Sequence, residues 1–257
     1  MKMPVLFVGH GNPMYTLGDN EFTRVWKSLS KELPKPKAVL CISAHWETNG
    51  TSVTTKEHPE TIHDFGGFPP ELYEVVYPAP GSPELAQNIQ SLVKKFKVNP
   101  CDVWGFDHGS WSVLRHTFPE ADVPIVELSI DYNKTFQQHY ELALELSELR
   151  SQGVMIIGSG NIVHNLGKVD WRDENAALDW AVRFNDNVKK LILNNDINSL
   201  IDISSIDKNF QFAVPTPEHF IPLIYAMALK ESTDKISFFN DKIVMGSLSM
   251  TSVKIEF

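Results

Sequence analysis

Cysteine is scarce. The 257 residues contain two, Cys41 inside an apolar run and Cys101 in an expected loop, with no CxxC pair, so a disulfide framework is excluded and two reduced thiols are expected. Positive charge is also in deficit, 23 Lys and Arg against 32 Asp and Glu for a net charge of -9. No element carries a Lys/Arg stripe, which leaves no basic field for a phosphate backbone and excludes nucleic acid as an expected partner. Long apolar runs are missing as well. The longest, FIPLIYAMAL from Phe220 to Leu229, falls short of the roughly 20 residues that a bilayer demands. The run after Met1-Lys2-Met3-Pro4 is far too short for a signal peptide, so no membrane partner and a cytoplasmic location are expected. Internal repeats, low-complexity tracts and linkers are absent too.

What is present fits a folded α/β protein. Hydrophobic residues make up 42% and charged residues 21%, near the globular average. At this length about 70–75% of the unfolded chain's surface can be buried, enough for one domain spanning 1–257. Short Val/Ile/Leu-rich runs at Val5–Val8, Ala38–Ser43, Val123–Ser129, Val154–Ile157 and Ser247–Ile255 read as strands. Helical spacing lies between them, clearest after the cap Ser82-Pro83-Glu84 and again through Trp180, Phe184, Val188 and Ile192. A third helix carries Phe136, Tyr140, Leu144 and Leu146, and a fourth opens at Thr216-Pro217. Strands alternating with helices imply a sandwich around a central, mainly parallel or mixed sheet flanked by helices. Two long irregular stretches, Thr48–Gly81 and Asn194–Pro215, need a purpose such as shaping a site.

Nine histidines are present, and four share a setting. His10 and His45 follow strands, His164 lies a few residues beyond one, and His219 falls in the expected first turn of the helix opening at Thr216. Ligands of open α/β sheets bind beyond the carboxyl ends of the strands, so these positions should converge on one rim. Neutral imidazole is the commonest protein metal ligand, and a site drawn from several strand ends needs no short spacing such as HExxH. The glycines beside His10 would let the backbone bend close to an ion. His108, in WGFDHGSW, either orients a substrate oxygen or caps the following helix. Two local patterns fail. GSGNIVHNLG lacks the third glycine of a dinucleotide fingerprint because Val163 stands there, and Ser159 lacks the glycines of a nucleophile elbow at 157 and 161.

Eight ordered blocks, GHGNPM, SAHWET, TIHDFGGFP, YPAPGSPELA, WGFDHGSWSVL, GSGNIVHNL, PTPEHFIPL and MGSLSMTS, closely resemble the extradiol DOPA 4,5-dioxygenase family of the LigB-like superfamily, from about Val5 to Val253. Only Asn194–Pro215 matches no block. The resemblance implies a LigB-like catalytic domain holding one divalent metal through His10, His45 and His219, with His164 as active-site base and a ligand in zinc-bound relatives. His108 resembles the second-sphere histidine that meets substrate or oxygen. Glu218, beside His219, would complete a 2-His-1-carboxylate set in its place.

The implied reaction is extradiol cleavage of a DOPA-like catechol, with both atoms of O2 inserted to give a semialdehyde. Fe(II) is expected for activity, and Zn(II) is expected in purified protein because zinc outcompetes ferrous iron for such ligands. His63, Asp64, Phe65, Tyr77 and Trp111 are the expected walls of the substrate pocket. The alternative is a zinc-dependent hydrolase on the same scaffold, with His164 or Glu218 as base. The particular catechol and the oligomeric state stay open.

Overall fold

Strands that are apolar on both faces need cover on both sides. The computed structural model, which describes residues 2–257, supplies it. β1 (Val5–Gly9) leads through α1 (Glu21–Glu32) to β2 (Ala38–Thr48) and β3 (Thr51–Thr54). Then come α2 (Pro70–Tyr73), α3 (Pro83–Leu92), β4 (Val98–Cys101), α4 (His108–Thr117) and β5 (Ile125–Asp131). α5 (Phe136–Glu145), β6 (Val154–Gly160), α6 (Asp179–Leu193) and the short α7 (Ile197–Ile201), α8 (Ile203–Ile206) and α9 (Phe210–Ala213) follow. The chain closes with α10 (Ile221–Ala228), β7 (Lys235–Phe239), β8 (Ile243–Val244), β9 (Leu248–Ser249) and β10 (Ser252–Glu256).

Eight strands form one sheet in the order β4-β3-β5-β2-β6-β1-β10-β7. The inner four are parallel, β10 and β7 join antiparallel at one side, and β3 joins β5 antiparallel at the other, so the sheet is mixed as expected. Side chains alternate between two cores. Val5, Phe7, Leu40, Ile42 and Ile156 pack with α3, α5, α6 and α10, while Leu6, Val8, Val39, Cys41, Met155 and Ile157 pack with α1 and α4. Each such fully buried Leu, Ile, Val or Phe contributes about 1.5–3 kcal/mol of burial, which makes the strand ends at the sheet's centre a rigid platform.

Local differences from the sequence reading have physical causes. Ser247–Ile255 is two strands, since β9 pairs with β8 and only β10 enters the sheet. Between them the chain crosses β1, so close that a Cβ on Gly9 would lie 2.7 Å from the Met250 carbonyl carbon. The helix expected from Thr216 starts at Ile221 because the His219 carbonyl accepts from Asn161 N at 2.8 Å and the Thr216 hydroxyl donates to Glu218. Cys101 ends the short edge strand β4, and α7 to α9 occupy the stretch expected to be irregular. β3, β4, β7 and β8 lie outside the expected strand runs; β4 carries Pro100, and β7 is half-exposed or exposed along its length.

Candidate metal centre

Three parallel strands end at one rim, and the histidines gather there. His10 follows β1, with its N–H on the Gly160 carbonyl at 3.2 Å and Gly11 behind it in the left-handed region (φ 60°). The flanking glycines therefore serve a turn and the crossing of Met250. His45 lies inside β2, where pairing with β5 slips between Ile42 and Glu47. His219 reaches the rim because β6 ends in Gly160: a Cβ there would stand 2.2 Å from the His219 carbonyl oxygen. His164, beyond β6, is tied by its N–H to the Ala213 carbonyl at 2.8 Å. His108 opens α4, whose cap is Asp107 rather than His108 itself.

The rings converge. His10 and His219 have centroids 5.3 Å apart, His45 and His219 5.0 Å, and the His164 ring stacks on His219 at 3.5 Å. Nδ1 of each inner histidine faces an acceptor. Ser159 Oγ donates its only proton to the Gly109 carbonyl at 2.5 Å, so it accepts from His10 Nδ1–H at 2.9 Å. His219 Nδ1 donates to Glu218 Oε1 at 2.9 Å, and His45 Nδ1 lies 3.3 Å from Asp64 Oδ2. With Nδ1 protonated, each ring keeps its lone pair on Nε2. His10 and His45 Nε2 stand 3.1 Å apart, and His219 Nε2 is buried without a partner.

That arrangement suits a cation. Two nitrogens bound about 2.1 Å from one ion at roughly 90–110° stand about 3.0–3.4 Å apart, so the observed 3.1 Å fits a shared coordination sphere. Ligand atoms of His10, His45 and His219 all lie within 4.8 Å of one another, as do those of His45, Asp64 and His108 and of His164, Glu218 and His219. Burial, then the neighbouring imidazoles, hold His10 and His219 well below the usual histidine range. His45 is lowered by burial and His108 despite Asp64, and burial brings His164 to about 4. Neutral imidazoles are the metal-binding form.

The carboxylates around the ring have distinct tasks. Asp64 accepts from the His108 backbone N–H at 2.8 Å and from His108 Nδ1 at 2.9 Å. Burial alone would raise Asp64, but the His108 hydrogen bond and charge outweigh it and hold the carboxyl below its usual range. Asp64 is thus a positioning group between two histidines as well as a cavity wall. Behind it, Asp107 accepts from Ser43 Oγ at 2.6 Å, and burial followed by Asp64 raises its carboxyl to about 6.

A cavity of about 700 Å³ opens over the ring, lined by His10, His45, Asp64, Phe65, His108, His164, Glu218 and His219 among others. His63, Tyr77 and Trp111 stand behind this wall. His63 Nε2 bonds the Val75 carbonyl at 3.0 Å, Tyr77 OH donates to the Phe118 carbonyl at 3.0 Å, and Trp111 Nε1 donates to the Ile62 carbonyl at 2.8 Å. Their polar atoms are occupied in bracing the loop that carries Asp64 and Phe65. Phe68, Leu166 and Trp171 line the cavity instead, and Ser159 orients a histidine. The Gly158-Ser159-Gly160 pattern was visible in the sequence, but its partner Gly109 was not.

Fold and site together define an α/β protein with a histidine centre at the carboxyl edge of its sheet. The family described as catalytic LigB subunit of aromatic ring-opening dioxygenase matches residues 5–253, and the chain belongs to it. The chain is 46% identical over 257 residues to 4,5-DOPA dioxygenase extradiol of Escherichia coli K12, covering 99% of this chain and 95% of that one. It is 38% identical to the protein of the same name from Beta vulgaris, covering 96% and 94%. The crystal structure of an uncharacterized Escherichia coli K12 protein superposes with a TM-score of 0.87 at 40% identity, covering 99% of this chain and all of that one.

Proposed function

We propose that this chain is a metal-dependent extradiol dioxygenase that opens the ring of a DOPA-like catechol with O2. The carrying observation is the approach of His10 Nε2 and His45 Nε2 to 3.1 Å with the ligand atoms of His10, His45 and His219 all within 4.8 Å of one another, each ring braced through Nδ1. These three would hold one divalent ion per chain, with His164 stacked alongside as a further ligand or proton acceptor. A bound Fe(II) would bind the catechol oxygens, lower their pKa and exchange electrons with O2. Zinc in the same nitrogens has no redox chemistry to offer oxygen.

The chain's own groups handle the proton and the pocket. His164 and His108 are the two acceptors for the remaining catechol proton. His108 has the more fixed ring, because Asp64 takes its Nδ1–H and leaves Nε2 as acceptor. Phe65 and Phe68 supply apolar surface on the cavity wall for a flat ring. Free thiols at Cys41 and Cys101 suit a reducing, cytoplasmic setting, and no described helix is long and apolar enough to cross a membrane.

Anaerobic loading with Fe(II), followed by DOPA and O2, is expected to give stoichiometric oxygen uptake and a yellow semialdehyde or its cyclised form. No uptake across a broad catechol panel would overturn the proposal, and turnover by the zinc form without oxygen would favour the hydrolase.

A further inference from the structure

Glu127 lies in the buried run of β5, in register with Cys41 of β2 on the face that α4 covers, and both it and Asp107 are fully buried. An ionised carboxylate is costly in such a place, and a second one beside it costs more. Neither lines the cavity.

The donors around this pair fall one short. Asp107 Oδ1 accepts from Ser43 Oγ at 2.6 Å and from the Ser110 N–H at 3.1 Å, whereas Oδ2 is buried and is offered no N–H or hydroxyl by the described residues. Glu127 Oε2 accepts from Trp104 Nε1 at 3.1 Å, and Oε1 meets Ser110 Oγ. Ionised carboxylates only accept, yet the two carboxyl groups are hydrogen-bonded to each other, so an acid proton lies between them. Burial raises both groups. Asp107 raises Glu127 further through its charge and that bond, while the same bond lowers Asp107, which puts the proton on Glu127.

The pair sits behind the turn that braces the histidine centre. Asp107 holds Ser43, whose Oγ accepts the His45 N–H at 3.2 Å. His108 is next in the chain, and the Gly109 carbonyl holds Ser159 against His10. The turn packs so closely that a Cβ on Gly109 would stand 2.6 Å from Ser43 Oγ and 2.8 Å from His45 Cδ2. Glu127 fixes this turn from the sheet side through Asp107 and Ser110, and it anchors Trp104, whose indole stacks at 5.6 Å on Trp46 beside His45.

We infer that Glu127 is a positioning residue that acts as a neutral acid, donating its proton to Asp107 and thereby holding the first turn of α4 against His45 and Ser159. The pair then carries one negative charge, and the ligand geometry depends on a group that touches neither metal nor substrate. The inference rests on the metal reading of the centre above.

The test joins infrared spectroscopy to metal affinity. A protonated carboxylic acid has a carbonyl stretch above the amide band that moves down in D2O, and the purified protein is expected to show one that Glu127→Gln removes. Gln supplies an N–H to Asp107 and an oxygen to Trp104, so its zinc affinity by chelator competition should stay close to that of the unaltered protein. Glu127→Leu, and Ser110→Ala as the milder change, should weaken zinc by about tenfold. A spectrum unchanged by Glu127→Gln, a loss of affinity in Gln equal to that in Leu, or zinc bound by Ser110→Ala and Leu as tightly as by the unaltered protein overturns the inference. No zinc bound by the unaltered protein removes the metal reading and the positioning role with it, while the infrared band still reads the shared proton.

Discussion

Ser159→Ala isolates what holds His10 in place. The hydroxyl is fully buried, donates to the Gly109 carbonyl and accepts from His10 Nδ1–H. Removing one oxygen leaves no sizeable cavity, so packing changes little. What is lost is the acceptor that keeps the proton on Nδ1 and the lone pair on Nε2 facing His45. The buried N–H left without a partner carries a penalty of about 1–3 kcal/mol, and the ring gains freedom to rotate or change tautomer. Loss of such an outer hydrogen bond lowers metal affinity by about 10–100-fold, or roughly 1.4–2.8 kcal/mol. Zinc affinity measured by chelator competition, with urea unfolding of the metal-free protein alongside, should show that weakening while metal-free stability falls by about 1–3 kcal/mol. Affinity within twofold of the unaltered protein would refute the claim that the Gly109–Ser159–His10 chain sets the ligand tautomer.

Three further outcomes are expected. His219→Ala should leave the far-UV circular dichroism intact while metal content after dialysis falls to a small fraction of one per chain; retained stoichiometric metal would remove His219 from the centre. Asp234→Ala should destabilise by about 3–5 kcal/mol in urea unfolding, because Arg150, fully buried and bonded to Asp234 at 2.7 Å, is left as an uncompensated charge. His139 is buried, bonded to Tyr225 OH at 3.1 Å and held by burial at about 4, below its unfolded value near 6.5. The unfolded chain thus takes up this proton first, so the contribution is complete above about pH 6.5 and lost as pH falls toward 4, about 3 kcal/mol in all. His139→Gln should flatten the acid limb of stability against pH by that amount, and an unchanged difference between the two proteins at pH 7 and pH 4.5 would contradict it.

Much of the architecture follows from local pattern. Val5–Val8 and Ala38–Ser43 are too apolar to face water on either side, which requires helices above and below them, and the Ser82-Pro83 cap starts α3 where it should. Short edge strands such as β4 carry no such signature, since their pairing depends on the neighbour's position rather than on their own residues.

For the site, the sequence by itself determined that His10 and His164 come just beyond strand ends, because the chain's alternation of strands and helices fixes which ends share a rim, whereas β2 runs on past the expected Ser43 and carries His45 within it. It also placed Asp64 and Phe65 in a loop long enough to reach that rim. The tertiary structure alone decided how each imidazole is braced. Ser159 meets His10 only because β6 lies beside β1, and Gly109 meets Ser159 only because α4 packs beneath the rim. Asp64 spans His45 and His108 across residues far apart in the chain, while His63, Tyr77 and Trp111, equally plausible as pocket walls in one dimension, turn their polar atoms onto backbone carbonyls. Hydrogen-bond direction depends on atoms a few ångströms apart in space, and residue order does not encode those distances.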